Sequence, residues 1–412
     1  MRSGENTVGQ NLQSNIIRLY IIKLSKWLML TMPILFLFYK ENGLSTRELF
    51  LLKAAYSFAI VALEVPSGYL GDIWGRKASL VLGSVLGFAG FAIYSVSTGF
   101  WPFLACEMIL GAGQSFISGS DSALLYDTLQ GDGREKSYLK IEGRMISAGN
   151  FAEAVAGPLG VAIAALSLRT TFFFQAAVAF AAIPAALTLV EPARKKMTGK
   201  ADVRQILGII RFAMQDHKGL QATIFYSSIM GTATLTMAWF VQPFFVHLSL
   251  PMVFFGIFIP LLNVTTGFVS MHAFRVEERL GRRGTIWFIV LGITAGYLSM
   301  GIFQAQAALV FLFLFYMVRG VATPVLRNQI NEITPSNIRA TILSIRSMVI
   351  RLTFVLIGPV LGWQADRAGL PWALVGGGIF FLAAGLASAI YLLRTTETPM
   401  PQPGVLDEKL SG

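Results

Sequence analysis

The sequence predicts an all-α membrane protein with twelve transmembrane helices in two pseudo-symmetric halves of six. Three observations support this prediction. Charged residues make up only 13% of the 412 residues, roughly half the share usual in soluble proteins. Apolar runs of about 20 residues, the length that crosses a bilayer, recur along the chain. Short motifs of the first half also return in the second half at nearly equal offsets.

Hydropathy and the distribution of basic residues give the spans and their orientation. Arg76, Arg134 and Arg283 fall in segments that would share one side, whereas the turns 98–100 and 246–250 of the other side have no Lys or Arg. The positive-inside rule therefore predicts that both termini are cytoplasmic. The predicted spans are 15–39, 47–71, 78–98, 101–127, 141–166, 169–190, 219–245, 251–273, 284–303, 306–330, 338–364 and 370–393.

We expect the chain to divide into four parts. The linker between the halves is rich in Lys and Arg and has apolar residues at helical spacing. This pattern predicts an amphipathic helix on the membrane surface, or alternatively a regulatory segment; its apolar residues are Val203, Ile206, Leu207, Ile210 and Met214. The four parts are the first half 1–190, the linker 191–218, the second half 219–393 and a cytoplasmic tail 394–412.

Composition argues against several classes of function. The one cysteine, Cys106, provides neither a disulfide framework nor a Cys-based metal site, and the three histidines are scattered. We therefore expect no metal, no cofactor and no enzyme activity. The net charge of +11 fits basic cytoplasmic loops better than nucleic-acid binding. The polar first fourteen residues and the short loops suit a bacterial inner-membrane protein, and we expect a monomer.

The segment PSGYLGDIWGRKASL, residues 66–80, contains an acid, two bases and three glycines between apolar runs. It closely resembles the loop between spans 2 and 3 that is the signature of the major facilitator superfamily. Ile73 departs from the pattern, which often has a base there; the matching residues are Gly68, Leu70, Asp72, Gly75, Arg76, Lys77 and Leu80. The resemblance implies the fold of that superfamily and a role for this loop as a conformational latch. Gly68 and Gly71 would let span 2 pack closely on a neighbour, and Asp72 would need a base or a helix N-terminus as its partner.

Further motifs are similar to the superfamily only in part. The second-half copy FRVEERLGRRG keeps Arg282 and places Glu278 where the first has Asp72. Gly157 and Pro158 in span 5 resemble a motif of the drug-antiporter branch, and Gly358 and Pro359 repeat the pair in span 11; we expect these residues at hinges or helix contacts.

Charges within the spans are costly and suggest function. Glu64, Glu107 and Glu153 are candidate proton carriers, because burial favours the protonated carboxyl group. We expect Lys23 to reach the inner surface with its long side chain, whereas Lys26 is too deep to do so easily. The candidates for the substrate cavity are Lys26, Asn150, Trp239, Tyr316, Arg319 and Arg351.

Arg319 leaves two interpretations open. It either binds an anionic substrate, or it pairs with Glu107 or Glu153 as a gate. The sequence thus predicts a secondary transporter of small organic solutes, most simply a proton-coupled exporter. Proton-coupled uptake or exchange of an organic anion is the alternative, followed by a non-transporting receptor or a lipid flippase.

Overall fold

The structure is a computed structural model, and it describes residues 2–192, 208–334 and 338–395. The side chains of residues 2–13, 72, 139 and 340 are outside this description. Within the described residues all regular structure is helical, as the composition predicts. The α-helices are Arg2–Trp27, Leu35–Glu41, Thr46–Trp74, Arg76–Val96, Phe100–Ile117, Ser120–Gly131, Tyr138–Ala164, Leu168–Phe180, Ala182–Thr188, Lys218–His247, Met252–Met271, Ala273–Ile302, Leu309–Glu332, Arg339–Ala368 and Leu370–Thr395.

Twelve spans are long and apolar enough to cross a membrane in the described part of the chain, which confirms the predicted number. The largest difference from the predicted bounds is in span 9, which begins at Ala273 and not at residue 284. The basic segment that precedes residue 284 continues the same helix, with a bend at Gly281. The spans are Ser14–Glu41, Thr46–Gly71, Arg76–Val96, Phe100–Gly131, Glu135–Ala164, Leu168–Thr188, Lys218–His247, Met252–Met271, Ala273–Ile302, Gln306–Glu332, Thr341–Ala368 and Leu370–Thr395.

Span 1 is interrupted in its middle, which the apolar pattern did not predict. Its first helix ends at Trp27, and after a short 3-10 turn its second helix begins at Leu35. The N–H of Leu30 donates to Oε1 of Gln175 at 2.7 Å, so a side chain replaces a partner that the helix would have supplied. The carbonyl of Leu30 lies against Gly160, where a Cβ would overlap it. Non-helical backbone is tolerated inside a membrane where the protein itself satisfies it in this way.

Span 4 is also interrupted. Its first helix ends at Ile117, and the next begins at Ser120 after Gly119, which has a φ of +82°. This left-handed conformation is easily adopted only by glycine, so Gly119 allows the break. The two broken spans therefore place helix ends within the membrane-spanning part of the chain.

The chain forms two compact units that do not coincide with its two sequence halves. The first unit contains the described residues of 1–45, 55–198 and 251–260, and the second contains those of 46–54, 199–250 and 261–412. The start of span 2 thus packs within the second unit, where the ring of Phe50 lies 4.6 Å from that of Phe240. The start of span 8 packs within the first unit, where Gly256 lies against Val161.

The predicted linker helix is described only in its last part. Val203, Ile206 and Leu207 are outside the described residues. Residues 208–216 are helical, ending in a π-helical turn, and Phe212 is buried with Leu220 and Ile342 of the second unit. The described end of the linker is therefore part of a protein core.

Spans 3 and 4 cross at glycines, with the backbones in close contact. A Cβ added to Gly83 would lie 2.9 Å from the carbonyl oxygen of Gly113 and 2.6 Å from Cγ1 of Ile117. A Cβ on Gly113 would lie 3.0 Å from the carbonyl oxygen of Gly83. Helices in membranes associate through such small residues, because van der Waals packing replaces the hydrophobic effect there.

We expect Gly83→Val to lower the free energy of unfolding by about 1–3 kcal/mol, the usual cost of overpacking a tight contact. Thermal unfolding of the detergent-purified protein measures this loss. Gly87→Val is the matched control, since it lies one turn further along the same helix and its Cβ would meet nothing within 4 Å. Equal losses of stability in the two variants would contradict the proposed crossing.

Candidate functional site

The two helix breaks bring opposite charges together inside the first unit. Lys23 and Lys26 lie in the last two turns of the helix Arg2–Trp27, and Asp121 lies in the first turn of the helix Ser120–Gly131. The Nζ of Lys23 is 3.1 Å from Oδ2 of Asp121, and only 8% of Lys23 and 6% of Asp121 is exposed. A helix favours cations at its C-terminus and anions at its N-terminus. Both helix ends therefore stabilise this buried ion pair.

A second carboxylate from span 5 joins the pair. Oε1 of Glu142 lies 3.5 Å from Nζ of Lys23 and accepts a hydrogen bond of 2.9 Å from the hydroxyl of Ser122. Its other oxygen, Oε2, is buried and accepts no hydrogen bond from a described residue. Three spans therefore converge on one ammonium group; below, Lys23, Asp121, Ser122 and Glu142 are called the charge cluster.

The expectation that Lys23 reaches the inner surface is wrong. Its ammonium group is instead held inside the protein by two carboxylates of neighbouring helices. A charge within a span either reaches water or pairs with an opposite charge in this way. Lys26, one turn further along, is half-buried and forms no ion pair with a described residue, although it is within electrostatic reach of Asp121. Lys26 thus remains a candidate for contact with a substrate.

The predicted proton carriers lie in different surroundings. Glu107 is 2% exposed, and its Oε1 is 2.9 Å from the hydroxyl groups of both Tyr39 and Tyr94. The ring of Phe103 stacks on that of Tyr94 and is tilted against that of Phe38, and these rings close the pocket. The neighbouring Cys106 is fully buried. An acid enclosed in this way is well suited to a structural role.

The remaining two candidate acids are more accessible. Glu64 in span 2 and Glu153 in span 5 are both half-buried, and each makes a polar contact. Asn150, one turn before Glu153, is exposed. None of the three predicted proton carriers belongs to the charge cluster. Sequence reasoning missed Glu142, because it lies close to the start of its span.

The signature loop forms an ion pair and a helix cap. Nε of Arg76 lies 3.0 Å from Oδ2 of Asp127 in span 4. The carboxylate of Glu191 accepts hydrogen bonds from the backbone N–H groups of Arg76 and Lys77, at 2.9 and 2.7 Å. Glu191 therefore occupies the helix N-terminus that was one of the two partners expected for Asp72, whose side chain is outside the described residues.

The glycines of this loop differ from one another in role. Gly75 has a φ of +107° and permits the turn before span 3. A Cβ on Gly71 would lie 3.1 Å from the Ser79 hydroxyl, as expected of a close contact. The same expectation is wrong for Gly68, where a Cβ would meet nothing within 4 Å.

The second-half copy keeps the bend but not the ion pair. Gly281 has a φ of +65° and reproduces the turn. Nε and Nη2 of Arg282 are buried without a hydrogen-bond partner among the described residues, and Glu278 is exposed and forms no ion pair with a described residue. The expected contribution of Arg282 and Glu278 to a latch remains a prediction.

The glycine–proline motifs mark close helix contacts. A Cβ on Gly157 would lie 3.0 Å from the carbonyl oxygen of Gly256, and one on Gly358 would lie 3.1 Å from the ring of Phe50. Pro158 and Pro359 lie inside their helices.

A carboxylate caps the start of span 2 in the second unit. Asp366 accepts hydrogen bonds from the N–H groups of Thr46 and Arg47, at 2.8 and 2.6 Å.

The second unit contains arginines without acidic partners. The guanidinium group of Arg319 lies 5.2 Å from the ring centre of the buried Tyr316. Nε of Arg346 donates to the hydroxyl of the fully buried Ser227, and Arg351 is half-buried. None of these three arginines forms an ion pair with a described residue.

Trp239, another cavity candidate, contacts a lysine that sequence reasoning missed. Nζ of Lys53 lies 4.9 Å from the ring centre of Trp239, and only 6% of Lys53 is exposed. Such a cation–π contact lowers the cost of burying the ammonium group. The long apolar run of span 2 gave no sign that Lys53 would be buried.

The sequence profile of the Major Facilitator Superfamily matches residues 24–322. The chain belongs to this superfamily. Its fold is similar to that of the nucleoside transporter NupG, with a TM-score of 0.75 at 15% identity over 94% of this chain and 99% of the other. It is also similar to that of a D-xylose–proton symporter, with a TM-score of 0.71 at 16% identity over 96% of this chain and 100% of the other.

A relative by sequence is the quinolone resistance protein NorA of Staphylococcus aureus. The two are 23% identical over 169 residues, which is 41% of this chain. The match spans about two fifths of the relative's own length, 42%. The superfamily to which the chain belongs consists of membrane transporters, which are not enzymes.

We expect Lys23→Met to destabilise the protein by about 3–5 kcal/mol, the usual cost of removing one partner of a buried ion pair. The double variant Lys23→Met with Asp121→Asn should recover part of the loss, because it removes an uncompensated carboxylate. Thermal unfolding in detergent measures both effects. Lys40→Met, an exposed lysine of the same span, is the control and should change little. A loss in Lys23→Met no larger than in the control would refute the stabilising role.

Proposed function

We propose that this transporter moves small organic solutes by alternating access and exchanges them for protons, in the direction of export. The observation that carries the proposal is the charge cluster at the two broken spans. Interrupted helices line the binding sites of many transporters, because the freed helix ends and backbone groups can contact a solute or a coupling ion. Titratable groups within spans are typical of proton pathways.

The chemistry of the cluster favours protons as the coupling ion. Two carboxylates share one ammonium group, so one carboxylate can take up a proton while the other keeps its ion pair. Proton uptake and release in such a cluster change the contacts among three helices, which is what coupling to a conformational change requires.

The proposed direction rests on two observations. The relative NorA is named for resistance to quinolones, and export of a toxic compound is one route to resistance. Gly157 and Pro158 resemble the antiporter motif, and Gly157 lies at a close contact between spans 5 and 8. With the basic loops inside, both termini would be cytoplasmic and the protein would act in a bacterial inner membrane.

Transport of an organic anion is the second candidate. Arg319, Arg346 and Arg351 lie in spans 10 and 11 and form no ion pair with a described residue. Guanidinium groups bind carboxylates through paired hydrogen bonds, and the low dielectric of a membrane strengthens that attraction. On this proposal the solute itself is the counter-charge of the arginines, in uptake or in exchange.

Flux measurements in proteoliposomes with an imposed pH gradient test both candidates. The solutes are ethidium as a cation, benzoate as an anion, uridine as a neutral solute and nalidixic acid as a quinolone carboxylate. We expect gradient-dependent flux of ethidium or nalidixic acid, in the direction opposite to proton flow. The variants are Arg319→Ala and Arg346→Ala, with the exposed Arg275→Ala as their control.

The outcomes separate the candidates. Benzoate flux that disappears in Arg319→Ala or Arg346→Ala, but not in Arg275→Ala, would favour the organic-anion function. Ethidium flux that survives both substitutions would favour drug export. Flux of any solute that proceeds down its own gradient and ignores the pH gradient would refute proton coupling.

A further inference from the structure

We propose that Glu142 is the residue that binds the coupling proton. This inference rests on the proposed proton-coupled transport and identifies the group that titrates during it. It follows from the different surroundings of the two carboxylates in the charge cluster.

Two contacts and the position of Asp121 in its helix favour the charged form of its carboxyl group. Its Oδ2 lies 3.1 Å from Nζ of Lys23, and its Oδ1 accepts a hydrogen bond of 2.9 Å from the backbone N–H of Ser122. It also lies in the first turn of a helix, where the macrodipole favours an anion. A proton on Asp121 would have to displace all of these favourable interactions.

Glu142 is held far less firmly. Its contact with Lys23 is longer, 3.5 Å, and its one hydrogen bond to a described residue comes from the Ser122 hydroxyl to Oε1. Its Oε2 is buried and accepts no hydrogen bond from the part of the chain that the structure describes. A charged carboxylate oxygen without a donor is unfavourable in a buried site, and a proton on that oxygen removes the charge.

The groups around Glu142 set the balance of charge. Lys23 and Lys26 come from span 1 and Asp121 from span 4, and Tyr138 lies one turn before Glu142 on its own helix beside Ser122. The next charged residue of that helix, Arg144, is exposed to its surroundings. Protonated Glu142 would leave Asp121 as the acid that offsets both Lys23 and Lys26. The protonated state would therefore carry one more positive charge.

Proton binding also has a mechanical consequence. The ion pair with Lys23 ties span 5 to span 1, while the pair between Lys23 and Asp121 ties span 1 to span 4. A proton on Oε2 of Glu142 weakens the first tie and leaves the second intact. Proton binding would thus weaken the polar contact between spans 1 and 5, while the glycine contacts between these spans remain.

The test compares Glu142→Gln, which mimics the protonated carboxyl group, with Glu153→Gln in the same span. Glu135→Gln, an exposed acid just before the helix, is the control. Infrared spectroscopy of the purified protein follows the carbonyl stretching band of protonated carboxylic acids as the pH is varied. Ethidium or nalidixic acid flux is measured in proteoliposomes in two ways: driven by a pH gradient, and as exchange without a gradient.

We expect Glu142→Gln to lose a titrating carboxylic-acid band and gradient-driven accumulation, while exchange without a gradient persists. Glu135→Gln should retain all three. The inference is overturned if Glu142→Gln keeps its gradient-driven accumulation, or if the band persists in Glu142→Gln and disappears in Glu153→Gln. Wild-type protein that ignores the pH gradient would refute the proposed function instead, and the infrared titration would still report whether Glu142 binds a proton.

Discussion

A charge or a free backbone group inside a bilayer must find its partner within the protein, and this constraint shapes the first unit. Span 1 is broken after Trp27 and span 4 at Gly119, so helix ends carrying partial charges lie among the membrane helices. Lysine at one end and aspartate at the other offset those charges. Gln175 and Gly160 accommodate the unwound backbone. The charge cluster depends on these breaks, since unbroken helices would offer neither end to its side chains.

Hydropathy was sufficient to predict the number of spans and most of their ends, because a helix that crosses the bilayer must be mostly apolar. It could not reveal the breaks, since Leu28 to Ile34 is as apolar as the helices on either side. The family resemblance depended on residues that the backbone conformation requires. Gly75 and Gly281 have positive φ, and that requirement keeps the signature loop recognisable in both halves.

Side-chain partners were harder to predict than helices. Arg76 and Asp127 lie in separate spans, and nothing in their sequence spacing indicates that they meet. Glu191 and Asp366 follow apolar spans and resemble ordinary boundary residues, yet each caps a helix that is distant in sequence. The expectation for Lys23 was wrong because snorkelling can be argued from the lysine alone, whereas pairing depends on acids in two other spans. Long-range partners become visible only when the helices are packed.

Cys106 provides the chain's one thiol, and the pocket of Glu107 encloses it completely. A membrane-permeant or aqueous maleimide therefore has no accessible target in the native protein. A maleimide would therefore label only a cysteine introduced at an exposed position, and Cys106 would not have to be replaced first. The same packing that isolates Glu107 thus makes the native chain ready for spectroscopic distance measurements between pairs of introduced probes.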